Sequence, residues 1–445
     1  MSNFKPVDSD GFQTGAETGF ARDLPSNPRL LDQVLSPAVH TLDNYIRGVH
    51  RDGPLDDIRF VRLVVCRVLS QAASGRDFLQ MADDVLGEPV ARSSFFGSLH
   101  CTRRLRMLGM LNAELVMRNK SSTNDLLAGF PELGDVPVFA VDGHHVEHAV
   151  HSPDDRKGSK VSSNNLYLLC LHSALLWNLG AVQGDGRHGH EMPVFRRRIN
   201  PWLELMERRK GKPSPILVGD PAFLDKEFWT LMEIRGSKAR FITRTKANMK
   251  PIVYDSNGWD VGNAVNQGVE ADLLVGFDGA MTMRIVRYRD PETGTPYEFL
   301  TSVGDLEPGL VAVLYLSRWR IEKVFDTTKN KLEETKSWAV GQTPREIRAH
   351  LVALTHNLLV LLRGELGREH GVREEKVERK HEGQVTERER RAQAAGRRVA
   401  PVQRLLPVAV QLTAQYIRSI RNGILVGMRW IAALRHLRDA MIAYL

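Results

Sequence analysis

The sequence predicts a mixed α/β fold, a sheet-bearing core with a β-rich insertion and helical regions on both sides of it. Three observations predict it. Apolar residues recur at spacings of three and four from Leu30 to about Glu114, as in FVRLVVCRVLSQ and FLQMADDVL. From about Gly129 short apolar runs punctuated by glycine take over: PVFAVDG, NLYLLCLHSALL and LGAVQGDG. Helical periodicity then returns at Leu310 and runs to about Leu366.

Residues 1–29 are rich in Gly, Ser, Asp and Asn, which predicts a flexible tail. Residues 30–128 form the helical N-terminal region. Within it Ser74-Gly75-Arg76-Asp77 precedes one periodic stretch, and Val90-Ala91-Arg92-Ser93-Ser94 begins another that runs into His100, Arg103, Arg104 and Arg106. Two short helices followed by a basic one fit a helix-turn-helix that places Arg103 and Arg104 on DNA. A small helical bundle with a solvated basic face fits the same pattern.

Residues 129–366 carry the core. After the first three strands a helical stretch spans Trp202 to Arg209, PILVGD is a buried strand ending at Asp220, LDKEFWTLMEIRG is amphipathic and ARFITRTK is again a strand. Between about 250 and 303, IVYD, ADLLVGFD, MTMRIVRYRD and YEFLTSV alternate with turn residues, a β-rich insertion. Residues 367–400 mix both charges densely with almost no large apolar residues, as an exposed helix or a linker would. Residues 401–445 are apolar and basic, with Asp439 their only acid, and predict a helical region that meets DNA or another subunit.

In 445 residues, 61 Lys and Arg against 53 Asp and Glu give a net charge of +8, which favours an anionic partner without identifying it. The three cysteines, Cys66, Cys101 and Cys170, form no CxxC pair and suggest neither a disulfide framework nor a thiolate zinc site. No signal-peptide core and no uninterrupted apolar run of about 18 residues is present, so a cytoplasmic protein without a membrane partner is expected. The GDG around Asp185 reads as a hairpin turn, and there is no P-loop or dinucleotide fingerprint.

The segment YLSRWRIEKVFDTTKNK carries the sharpest pattern. Treated as one helix at roughly 100° per residue, Tyr315, Arg318, Glu322 and Lys329 fall within a wedge of about 60°, with Ile321, Val324 and Leu332 on an adjacent apolar face. Such a stripe is either a solvated face with an Arg318–Glu322 ion pair or a row of groups facing a common ligand. Upstream, Asp142 and Asp220 each close an apolar run just before a turn, a position that suits a helix cap as well as a ligand.

Tyr315, Arg318, Glu322 and Lys329 resemble, position for position, the Y-x2-R-x3-E-x6-K signature of the transposases of insertion-sequence family four. With Asp142 and Asp220 the order becomes Asp, Asp, Glu, with the β-rich insertion before the glutamate. That is similar to the DDE core on an RNase H-like fold, in which the aspartates lie on neighbouring strands and the glutamate comes from a helix. The resemblance covers roughly Pro137 to Leu362. It implies Asp142, Asp220 and Glu322 as catalytic residues and ligands of Mg²⁺ or Mn²⁺, with Tyr315, Arg318 and Lys329 on DNA. The chemistry suits hard oxygen ligands: two divalent ions about 4 Å apart serve both ends of an in-line phosphodiester displacement. It further implies cleavage at transposon ends, attack of the freed 3′ hydroxyl on target DNA, a homodimer on paired double-stranded ends, and a bacterial, nucleoid-associated location. A nuclease that shares the core without strand transfer, or an inactive relative that regulates by binding DNA, stands as the alternative.

Trp319 either stacks on a displaced base or packs its helix. His144, His145, Glu147, His148 and His151, with His188, His190 and Glu191, form either a transition-metal site or a loop beside a phosphate site. His188-Gly189-His190-Glu191 reads as a turn before a short strand, where the resemblance implies a structural His-Glu pair. Arg196-Arg197-Arg198 is a phosphate-contacting patch or a charged helix start.

Overall fold

The computed structural model describes residues 26–45, 55–70, 72, 75–87, 89–119, 125, 127–151, 160–182, 191–207, 213–234, 239–277, 282–332, 338–396 and 412–442. The tail up to residue 25, the Asp185 turn, His188, His190 and residues 401–411 lie outside them, as do the side chains of Glu147, His148 and His151.

Five helices come first: α1 (Leu30–Tyr45), α2 (Asp57–Ser70), α3 (Gly75–Leu86), α4 (Arg92–Leu99) and α5 (Thr102–Arg118). The apolar spacing in α2 buries Phe60, Val61, Leu63, Val64, Val65 and Val68, so packing rather than propensity holds this β-branched sequence helical.

The sheet follows, from β1 (Val138–His151), β2 (Lys160–Cys170), β3 (Leu176–Ala181), β4 (Ile216–Gly219) and β5 (Arg240–Arg244). The insertion contributes β6 (Ile252–Ser256), β7 (Val269–Gly276), β8 (Met283–Arg289) and β9 (Pro296–Thr301). All nine join one sheet in the order β3-β2-β1-β4-β5-β9-β8-β7-β6. β1, β2 and β3 are antiparallel, while β1, β4 and β5 run parallel. This strand order and these directions are consistent with an RNase H-like core, and the insertion extends the sheet as an antiparallel meander beyond β5. β4 is a four-residue strand buried throughout, the continuous apolar run expected of a central parallel strand.

Between β3 and β4 lie α6 (Glu191–Arg198) and α7 (Asn200–Glu207), and α8 (Lys226–Ile234) leads into β5. After the insertion come α9 (Pro308–Ser317), α10 (Arg320–Lys331) and the long α11 (Gln342–His370). Asn357 of α11 accepts from the Leu176 amide at 2.7 Å and donates to its carbonyl at 2.8 Å, so one side chain closes the open edge of β3. The same Asn357 donates to Asn112 of α5, which donates in turn to the His350 carbonyl at 3.0 Å, tying the N-terminal helices to the core.

The chain ends in α12 (Glu375–Ala394), whose described side chains are largely solvent-facing, and in α13 (Ala414–Leu425) and α14 (Trp430–Ile442). The Trp430 amide donates to the Pro28 carbonyl and the Leu30 amide to that of Met428, both at 2.8 Å, so the last helices are fastened to the first. None of the described helices is long and apolar enough to cross a membrane.

Two sequence expectations need correction. The stripe from Tyr315 to Lys329 does not lie on one helix: Arg318 and Trp319 form a tight turn in which the amides of Arg318 and Ile321 bond three residues back, to Tyr315 and Arg318. Both keep helical dihedrals, so the tightening is of the 3-10 kind, which advances about 120° per residue and rotates Tyr315 away from the later stripe. The histidine segment is neither helix nor loop but the far end of β1, paired with β2 through His151. His144 and His145, whose side chains are described, are consecutive strand residues on opposite faces, and a helical ligand spacing does not apply.

Candidate active site

Asp142 lies on β1 immediately after Val141, which pairs with Gly219, the last residue of β4; Asp220 follows it. The two carboxylates therefore stand beside each other on neighbouring parallel strands, Asp220 at the carboxyl end of β4 and Asp142 where β1 runs on past that end. Asp220 opens a 3-10 turn, Pro221–Phe223, its Oδ1 accepting from the Ala222 amide at 2.8 Å, and its carbonyl accepts from the Thr243 hydroxyl on β5 at 2.9 Å. A side chain at Gly219 would press on Phe223 and Val141, 3.0 and 3.1 Å from its Cβ.

Glu322 enters from the first turn of α10. Between it and Asp142 lies Arg318, only 8% exposed, whose Nη1 donates to Asp142 Oδ2 at 2.9 Å while Nη2 stands 3.5 Å from Glu322 Oε1. One guanidinium thus bridges β1 and α10. Burial pushes the Asp142 carboxyl up to about 6 against the pull of Arg318, and Asp220 and Glu322 both push in the same direction.

Tyr315 is 5% exposed and packs on Phe299 of β9 at 4.8 Å, with the Arg318 cation 6.0 Å from its ring. Burial raises its phenol, while Arg318 and Arg244 draw it down. Tyr315 is therefore packed beneath Arg318 rather than presented to a DNA strand. Lys329 is exposed on α10, and Trp319 is 57% exposed at the turn, which overturns packing as its role. His144 is buried and stacks on Phe325 of α10 at 4.4 Å.

Arg103 and Arg104 are engaged elsewhere. Both guanidinium groups close on Asp57 of α2, itself fully buried, and Arg104 also donates to the Leu55 carbonyl and the Ser98 hydroxyl and lies 4.3 Å from the Phe60 ring. Arg104 holds the bundle together, which corrects its assignment as a DNA contact. Arg196–Arg198 form the last turn of α6, not a helix start, with Arg196 paired to Asp225 and Arg198 4.0 Å from Glu346.

Glu191, grouped in the sequence with the histidines, stands instead beside Asp142 and Asp220. It opens α6 rather than a strand, and its carboxyl is pushed up to about 7 by burial first and then by Asp142 and Asp220. The sequence did hold one signal, Gly143, a glycine inside a strand, which marks a close approach of another group.

The family comparison now bears on these residues. Residues 134–358, just over half the chain, match the model described as Transposase DDE domain. The chain belongs to the DDE transposase family. DDE transposases use divalent metal ions, and the donor set here fits one: hard carboxylate oxygens from three elements that repel one another while a single arginine lies between two of them. The set is wide, since among the described residues only Glu365, Glu369 and His370 on α11 bring three ligand atoms all within 4.8 Å of one another. Among solved structures, the DDE transposase is similar to a piggyBac transposase synaptic complex with hairpin DNA, at 10% identity over 89% of this chain and 78% of that one, with a TM-score of 0.33. At that score the likeness fixes no residue correspondence, and the site rests on its own geometry. No curated protein matches the chain.

Proposed function

We propose that this DDE transposase belongs to the Y-R-E-K group of insertion-sequence family four, cleaves double-stranded DNA at the ends of a mobile element and joins the freed 3′ hydroxyl to a target. Asp142, Asp220 and Glu322 are the catalytic carboxylates in this reading. The observation that carries it is the meeting of β1, the end of β4 and the start of α10 around Arg318, with Asp142 held near 6 by burial and by the two other acids.

Asp142, Asp220 and Glu322 would hold the divalent ions, Mg²⁺ or Mn²⁺, which activate a water and stabilise the leaving 3′ oxygen when bound. Arg318 keeps Asp142 and Glu322 at a fixed separation and, once they are engaged, turns its planar fork to a phosphate of the scissile strand. Tyr315 supports Arg318 from the protein side. Lys329 contributes a point charge further along the DNA, and exposed Trp319 offers a face on which a displaced base stacks. Residues 30–128 would bind the element ends and 401–445 the DNA or a second protomer, with two protomers on paired ends.

The test uses the full chain, a labelled duplex carrying the inverted repeats that flank the coding sequence, and a target plasmid with Mg²⁺. Wild type is expected to nick the ends and join them to the plasmid. Asp142→Ala, Asp220→Ala and Glu322→Ala are each expected to lower both steps by about a thousandfold or more with unchanged circular dichroism. Normal activity in any one removes that residue from the assignment, and cleavage without joining points to a nuclease.

A further inference from the structure

Gly143 follows Asp142 on β1, and the space its side chain would fill is taken. A Cβ built there would lie 1.9 Å from Glu191 Oε1 and 2.6 Å from Glu191 Cδ, so the carboxylate rests directly on the strand beside Asp142. A side chain at 143 would push the carboxylate out of that place.

The position of Glu191 is enforced by packing. Three and four residues along the helix, Val194 and Phe195 are buried, and Phe195 meets Phe223 and Phe228 at 5.5 Å and Trp229 at 6.5 Å. Phe223 belongs to the turn that Asp220 opens. The aromatic cluster thus fixes α6 to the Asp220 turn, and the helix brings Glu191 beside Gly143 of β1, next to the end of β4.

A purely structural carboxylate in such a place would need donors. Among the described residues none donates a hydrogen bond to Glu191 and no cation pairs with it; its electrostatic neighbours are Asp142 and Asp220. A half-buried acid held against two others costs stability unless a cation joins them. We infer that Glu191 is a fourth carboxylate of the metal centre, an oxygen donor delivered by α6 through the gap left by Gly143.

This inference rests on the metal centre proposed above, and metal binding can be read without any reaction. Mn²⁺ is titrated into the full chain without DNA, and free ion is followed by its paramagnetic resonance amplitude. A Glu369→Gln background keeps the α11 cluster from contributing. Wild type is compared with Asp142→Asn, the nearly isosteric Glu191→Gln, and Gly143→Ala, which keeps every carboxylate but fills the gap. Glu191→Gln and Gly143→Ala are each expected to weaken Mn²⁺ binding by about tenfold or more. Retention of wild-type affinity by Glu191→Gln while Asp142→Asn loses it overturns the inference and leaves the metal centre standing. If Asp142→Asn also binds as wild type does, the metal centre itself fails and the inference with it. Should Gly143→Ala not fold, Glu191→Gln alone decides.

Discussion

Two aspartates of one sheet, each paired with an arginine, do opposite things. In the insertion, Arg284 of β8 grips Asp272 of β7 with two bonds, of 2.7 and 2.6 Å, and its remaining nitrogen donates to the carbonyls of Val303 and Leu306. Asn257 adds a further donor to Asp272, and both charged residues are buried. Charge and hydrogen bonds close within that group. At the candidate active site Arg318 meets Asp142 once, reaches Glu322 at 3.5 Å, and faces a neighbourhood that also holds Asp220 and Glu191. The first pair builds the sheet, and the second leaves negative charge in excess for something that binds.

The largest expected effect breaks the first pair. Arg284→Ala leaves Asp272 buried and ionised with its fork removed, which costs about 3–5 kcal/mol. Denaturant unfolding of the full chain measures it. A loss below about 1 kcal/mol would mean that the insertion tolerates the lone carboxylate and that the contrast is wrong.

The corresponding cut at the active site is expected to cost less. Arg318→Ala also strands a carboxylate, but burial already pushes Asp142 up to about 6, so it can take up a proton instead of remaining charged. The expected destabilisation is about 1–2 kcal/mol at pH 6, growing as the pH is raised and Asp142 can no longer stay neutral. A cost equal to that of Arg284→Ala at pH 6 would put Arg318 among the structural arginines.

How much of this was legible in the sequence depends on the reach of each interaction. Asp142, Asp220 and Glu322 were singled out by the resemblance, through the order Asp, Asp, Glu and the Tyr-Arg-Glu-Lys spacing, since an aspartate that closes an apolar run suits a helix cap equally well. The adjacency of β1 and β4 could not be read from the residues, since the pairing joins Val141 to Gly219 across two further strands and two helices. Arg104 looked like a free cation because its partner, Asp57, stands 47 positions earlier. The turn at Arg318 escaped because periodicity over a few residues does not separate an α from a 3-10 bond. Glu191 needed the packing of Phe195 on Phe223, a contact between elements that no local pattern encodes.

The smallest effect has the most informative sign. Asp142 is raised in the folded chain from its ordinary 3.8 to about 6, so the folded state takes up a proton between those values and the unfolded state does not. The stability contributed by this group is present at low pH and lost as pH rises through that window. At pH 7.5 and without divalent metal, the ionised Asp142 is a net cost, and Asp142→Asn is expected to stabilise the chain by about 1 kcal/mol even though Arg318 loses a partner. The advantage should shrink toward zero as the pH is lowered to about 4, where the wild-type carboxyl is itself neutral. Melting temperatures of the two proteins in chelator across that range give the answer. An Asp142→Asn chain that is less stable at every pH would show that the Arg318 contact outweighs the repulsion, and that the active-site pair is of the same kind as Arg284 with Asp272.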